Sequence, residues 1–349
     1  MSGRERRWDS KHQQNVLMRV LRRSVEIATV TGHLPSHNHE RSNGVIMNKL
    51  PSILFATTVA MITAGFLPVL AQTANGSLPQ LAPGQSLGIA LDIPTVPNLR
   101  DVGGYKTEDG KTVVHGLTYR SDTFNPMNAE DITKLERLEL KNDYDLRTAS
   151  EAKTRPDEIP AGVQYHLLNV LADAKSAAPA ELEALMHEPK KANVALGGGK
   201  IEALFMEAYR EFITLPSAKQ SYRTLFQSLA DSQKLPAVFH CTTGKDRTGW
   251  AAAALLTLLG VPKETVMADY MRTNEYTLPQ FKHAIDSFVA AGGNRDIAVA
   301  VFGVKTEYLD ASLDEMQKQY GTIEKYFAEG LGIDASGQKV LRDMFLSRN

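Results

Sequence analysis

The spacing of apolar residues along this chain changes several times, and each change marks a different kind of element. From Leu50 to Leu70 apolar side chains run almost unbroken behind Lys49. The stretch IPTVPNLRDVGGYKTEDGKTVVHGLTYRSDTF, residues 93–124, mixes short apolar runs with glycines, which predicts small strands and tight turns. NAEDITKLERLEL then sets Ile132, Leu135 and Leu138 on one face behind Asn128 as N-cap, predicting a helix. A short strand turning into a loop is expected over 141–151, and another strand over 162–171. Residues 172–200 are alanine-rich, with a Pro-Lys-Lys step and a triple glycine at 197–199, and read as an inserted, mobile excursion. Two amphipathic helices are predicted over 201–215 and 217–231, followed by LPAVFH as a short buried strand. TGWAAAALLTLLG predicts a buried helix ended by Gly260, and further helices are expected from near Pro262, Leu278, Ser312, Thr322 and Ser336. No internal repeat is visible. This order predicts an α/β domain with a central sheet and a helical C-terminal half.

The apolar run beginning at Met47 has the form of an export signal, because Val69 and Ala71 are the small residues that precede a signal-peptidase cut. Cleavage after Ala71 would give a periplasmic or secreted protein. The alternative is an inner-membrane signal anchor, since about 20 apolar residues can span a bilayer. No cysteine stands directly after the run, so a lipoprotein anchor is not expected. Residues 1–46, polar and arginine-rich, read as an over-extended start outside the fold; a cytoplasmic extension on an anchor is the alternative. Residues 72–92 are expected as a flexible lead-in, and 93–349 as one domain carrying the 172–200 insertion. The whole chain has a formal net charge of −1, and residues 1–71 hold nine Lys/Arg against four Asp/Glu, so the remainder stands near −6. That balance suits neither a nucleic-acid partner nor general binding to an anionic membrane.

The chain has a single cysteine, Cys241, in FHCTTGKDRTGW. The predicted strand–loop–helix order sets the loop at a helix N-terminus, where unpaired N–H groups and the helix dipole favour an anion. Thr242, Thr243, Gly244 and Lys245 can turn successive N–H groups inward, and Arg247 can grip two oxygens of a tetrahedral oxyanion. The same positive field favours a thiolate, the form that attacks phosphorus. His240 is expected to orient the loop, and the Thr248 hydroxyl to stabilise the departing sulfur. GKD lacks the Ser/Thr and the upstream glycine of a nucleotide-binding P-loop. His115, His166 and His187 lack ligand spacing, so neither metal nor cofactor is expected.

The segment resembles the signature loop of cysteine-dependent protein tyrosine phosphatases, in the bacterial branch with Gly-Lys-Asp-Arg in the loop. NLRDVGGY, LTYRSDTF, DLRTASE, ADYMRTNEY and FGVKTEYLDASLDEMQKQYGTIEKYFAEGLG are similar to that family in the same order, from about Ile93 onward. The resemblance implies a tyrosine-phosphatase-like central sheet flanked by helices, a lid-like helical insertion, and hydrolysis of phosphotyrosine, of phosphoserine or phosphothreonine, or of phosphoinositides. It also implies proton transfer at the position of Asp246.

A phosphatase of this kind needs a general acid. The window before the cysteine offers Glu202, Glu207, Glu211 and Asp231, which fit a solvated helix face or a helix end. Asp246, inside the loop, and Asp145, at the end of a strand where α/β sheets expose functional groups, are the better candidates. For each the alternative is a carboxylate that anchors its loop, Asp145 with Arg147. Lys245 is expected at the pocket rim. Arg100 and Arg120 could reach substrate but more often knit a sheet edge. The expected function is an exported phosphatase acting on a phosphoprotein or a phosphoinositide through Cys241; rhodanese-type sulfur transfer and a non-catalytic phosphate-binding module are the other readings.

Overall fold

Along Ala237–His240 successive side chains point to opposite faces of the sheet, as the period of a strand requires. Ala237 and Phe239 join the large helical core, whereas Val238 joins a smaller core on the other side. The structure is a computed structural model that describes residues 88–174, 182 and 185–347. The expected over-extended start, the signal run and most of the lead-in lie outside the described residues. The described end of the lead-in is tied down, with the Asp101 N–H donating to Ile89 O at 3.0 Å.

The strands are β1 (Arg100–Asp101), β2 (Thr118–Ser121), β3 (Asn142–Asp145), β4 (Gln164–Leu167) and β5 (Ala237–His240), arranged β1-β2-β5-β3-β4. Only β1 runs antiparallel; β2, β5, β3 and β4 are parallel, with Ser121 and Asp145 both paired to His240. The last residue of the central strand β5 is thus flanked by the ends of two neighbours. The loop beyond it emerges at the carboxyl edge, where α/β sheets place their sites.

The helices are α1 (Ala129–Glu136), α2 (Ala149–Thr154), α3 (Pro189–Leu196), α4 (Lys200–Thr214), α5 (Pro216–Leu229), α6 (Arg247–Leu258), α7 (Lys263–Met271), α8 (Thr273–Gln280), α9 (Lys282–Ala290), α10 (Arg295–Phe302), α11 (Thr306–Tyr320) and α12 (Ala335–Phe345). Asn128 caps α1, accepting from the Asp131 N–H. Helix α6 is buried on nearly every side, from Arg247 through Leu256, as its alanines and leucines predict. Among the described residues no helix is long and apolar enough to cross a membrane.

Three differences from the sequence reading have local causes. A helix, α2, replaces the expected loop after β3, because Thr148 and Glu151 form a reciprocal capping box. Helix α11 begins at Thr306, and Ser312 lies buried inside it, its hydroxyl donating to Tyr209 O at 2.7 Å. The 172–200 insertion is not free-standing where it is described: Leu182 and Met186, with Ala192 and Leu196 from one face of α3, are buried in the main core.

Candidate active site

Cys241 comes directly after the last residue of β5 and is 1 % exposed. The next four carbonyls, its own included, are each held by a donor from outside the hollow. Cys241 O accepts from His240 Nδ1 at 3.1 Å, Thr242 O from the Thr123 N–H at 3.3 Å, Thr243 O from Asn98 Nδ2 at 2.9 Å and Gly244 O from Arg120 Nη2 at 2.8 Å. A trans peptide sets each N–H opposite the preceding carbonyl. The N–H groups of Thr242, Thr243, Gly244 and Lys245 therefore turn away from these four donors, forming a concave donor array at the N-terminus of α6. Gly244 makes the close passage possible: its φ is +66°, and a Cβ there would lie 2.4 Å from Ser121 O.

Arg247, the first residue of α6, is 2 % exposed. The two parallel bonds expected to grip an oxyanion go here to Glu151: Nη1 to Oε2 and Nη2 to Oε1, each at 2.9 Å. Thr242 Oγ1 joins the same group, donating to Glu151 Oε1 at 2.6 Å and accepting from Arg247 Nη2 at 3.2 Å. Burial opposes the guanidinium charge, but Glu151 and Cys241 outweigh it and hold Arg247 above its ordinary value. Glu151 was not singled out from the sequence. Its signal was the Thr-x-x-Glu capping box, which marks a helix start and conceals a second task.

Lys245 is not at the rim. Its side chain is fully buried, with Nζ 2.8 Å from Asp246 Oδ1 and 4.6 Å from the centre of the Phe205 ring, because this carboxylate and ring together replace its water. Asp246 Oδ1 also accepts from the Tyr209 hydroxyl at 2.7 Å. Thr248 is buried with its hydroxyl unbonded among the described residues.

Asp145 is engaged as its alternative reading, a loop anchor with Arg147, expects. Its carboxylate takes Arg147 Nε at 2.9 Å and Nη2 at 2.7 Å and the Tyr165 hydroxyl at 2.7 Å. Nearby, His240 Nε2 lies 3.2 Å from Asp143 Oδ1 and 3.4 Å from Asp157 Oδ2. Burial disfavours a charged His240, yet Asp157, Asp143 and Asp145 prevail and raise it well above its ordinary value. Asp143, Asp157 and His240 bring donor atoms within 4.8 Å of one another. His240 is itself a cation of this group, and Arg147 also binds Asp157.

Arg100 and Arg120 both turn inward to Asp269, at 3.1 Å and 2.7 Å. Arg120 therefore reaches the loop from behind, through Gly244 O. Asp122 sits between Ser121, which abuts Gly244, and Thr123, which bonds Thr242 O; burial pushes its carboxyl up to about 7.

The loop sets its N–H donors beside the single cysteine, and known proteins are similar to this chain in sequence. The sequence model of the tyrosine phosphatase family matches residues 91–347. A protein of Cupriavidus necator named as a tyrosine-protein phosphatase is 28 % identical over 246 residues, covering 70 % of this chain and 85 % of the relative. The triple specificity protein phosphatase PtpB of Mycobacterium tuberculosis is 26 % identical over 279 residues, covering 73 % and 98 %. A tyrosine-protein phosphatase of Nostoc commune is 32 % identical over 148 residues, covering 42 % and 44 %. The family match spans the sheet, the cysteine loop and the helices beyond it, and this chain accordingly belongs to the tyrosine phosphatase family, as a phosphoric monoester hydrolase.

Proposed function

We propose that the protein hydrolyses phosphomonoesters of protein side chains, phosphotyrosine foremost, through a phosphocysteine on Cys241. The observation that carries this reading is the outward hold on four successive carbonyls, which leaves an array of N–H donors around a single thiol. In the first step the Cys241 thiolate attacks phosphorus; the S–P bond forms, the ester P–O bond breaks, and the leaving oxygen takes a proton from Asp246. In the second, water attacks phosphorus, its proton passes to Asp246, and the S–P bond breaks to release phosphate and restore the thiolate. Arg247, held in plane by Glu151, and the loop N–H groups meet the charge of the transferred group. The Thr248 hydroxyl, buried and unbonded among the described residues, supports a role as donor to the sulfur as it leaves.

The triple specificity in the mycobacterial relative's name supports testing more than one class of phosphomonoester, and phosphoserine, phosphothreonine and phosphoinositide substrates are the further classes to assay. Phosphoinositides stand second, because the Lys245 ammonium is buried against Asp246 instead of lending charge to the pocket mouth. Export rests on the apolar run to Ala71, and N-terminal sequencing of the mature protein from a periplasmic fraction tests it. The reading of the reaction is tested by phosphate release from a phosphotyrosine peptide and a phosphatidylinositol phosphate, with wild type and Cys241→Ser side by side. Turnover of the peptide by wild type alone supports it. Equal activity in both proteins, or none in either, overturns it.

A further inference from the structure

Tyr209 lies on α4, within a stretch whose sequence reads as an ordinary amphipathic helix. It is fully buried, with Phe212, Tyr308 and Tyr270 around its ring at centroid distances of 5.1, 5.8 and 6.2 Å. Its backbone is pinned as well, since the Ser312 hydroxyl of α11 donates to Tyr209 O at 2.7 Å. The Tyr209 hydroxyl sits 2.7 Å from Asp246 Oδ1 and 2.7 Å from the Tyr270 hydroxyl of α7. Helices α11 and α7 thus brace a tyrosine of α4 that meets one oxygen of the loop carboxylate.

Lys245 Nζ shares that oxygen at 2.8 Å. Two fixed donors on Oδ1 remove the rotation that would let the two carboxylate oxygens trade places. Oδ2 takes no hydrogen bond among the described residues, and the Asp246 side chain keeps 6 % of its surface exposed. We infer that Tyr209 is a positioning residue for proton transfer: it holds Asp246 so that Oδ2 is the oxygen that gives up the proton to the leaving group. Burial, with Asp246 and Tyr270 adding to it, raises Tyr209 well above its ordinary value, so its hydroxyl remains a donor through any working pH. A group held in place before the reaction needs no reorganisation during it, which is where such a contact acts on rate rather than on affinity.

This inference rests on the proposed role of Asp246, and the test separates the two. The full chain is assayed as wild type, Asp246→Asn and Tyr209→Phe on two aryl esters. Phenyl phosphate expels a phenolate that needs a proton, and p-nitrophenyl phosphate one that does not. Asp246→Asn is expected to lower kcat on phenyl phosphate by about 100-fold or more and much less on the nitrophenyl ester. Tyr209→Phe is expected to show the same pattern at about tenfold, with KM and cooperative thermal unfolding retained. A structural role alone would lower both esters alike. If Asp246→Asn discriminates and Tyr209→Phe does not, the positioning role is overturned and the acid stands. If Asp246→Asn does not discriminate, both fall. Should Tyr209→Phe not fold, Tyr270→Phe reads the same chain one link further out: a selective fall on phenyl phosphate supports the proposal, and an equal fall on both esters overturns it.

Discussion

Glu151 holds Arg247 by two bonds of 2.9 Å, one to each terminal nitrogen. The same carboxylate closes the cap of α2, accepting from the Thr148 N–H at 2.8 Å. One side chain therefore fixes a helix start and the plane of the guanidinium that opens α6. The side chains of Arg247 and Glu151 are 2 % and 9 % exposed, so water does little to screen the pair.

Glu151→Gln keeps the shape and removes the charge. Losing one charge-assisted contact of about 1.5–3 kcal/mol predicts a fall in kcat/KM of roughly 10- to 100-fold. Steady-state kinetics on a phosphotyrosine peptide, read against the thermal midpoint, checks this. An unchanged kcat/KM would mean that Glu151 serves the helix cap alone.

Asn98 holds Thr243 O from behind the loop, and Asn98→Ala removes that hold. Inorganic phosphate, which needs the cradle but no chemistry, should bind about tenfold more weakly to a chain that still unfolds cooperatively. Gly244→Ala should do more, because its Cβ would lie 2.4 Å from Ser121 O at a φ of +66°. Competitive inhibition by phosphate measures both.

Asp145→Asn distinguishes anchor from acid. Removing its charge weakens the buried contact with Arg147, which keeps Asp157 as its partner, so about 1.5–3 kcal/mol of stability should be lost. The folded fraction should keep its preference between phenyl and p-nitrophenyl phosphate. Selective loss on the phenyl ester would restore Asp145 as an acid candidate.

Stability should fall as pH rises from about 4 to about 7. Burial pushes the Asp122 carboxyl from 3.8 up to about 7, against Asn98, Gln280 and His240, which favour its charge. Across that window the folded chain keeps a proton that the unfolded chain has released, a difference of up to about 4 kcal/mol at about 1.4 kcal/mol per unit. His240 extends the trend: its folded value is raised, so its contribution is complete below about 6.5 and is lost as pH climbs through that folded value. Asp157 acts oppositely. Burial works against its charge, but His240 and Arg147 hold it at about 2, so its contribution disappears only in acid. Thermal midpoints from pH 4 to 9 should decline, and Asp122→Asn should flatten the lower part of the curve. A wild-type midpoint that climbs from pH 4 to 7 would contradict this.

The strand, cysteine loop and buried helix were legible because their signals are local: LPAVFH, one small residue at Gly244, and an unbroken apolar run after Thr248. The partners of the loop were not. Glu151 meets Arg247 across 96 positions, and Asn98 meets Thr243 across 145. Nothing in the periodicity of 201–215 sets Tyr209 apart from Phe205 or Phe212, since all three are core positions and only the tertiary fold brings Asp246 to one hydroxyl. Lys245 was misplaced for a related reason. A lysine beside a phosphate loop suggests a solvated rim charge, and only the packing of α4 supplies the ring that, with the adjacent Asp246 carboxylate, buries it.

The central claim is that Cys241 carries the phosphoryl group between the two steps. Its most direct test is a rapid acid quench of the full chain during turnover of a phosphotyrosine peptide, with mass analysis of the peptide that contains Cys241. A phosphoryl adduct on Cys241, absent from Cys241→Ser, is the predicted result. Undiminished turnover in Cys241→Ser, with no adduct on wild type, would contradict the account.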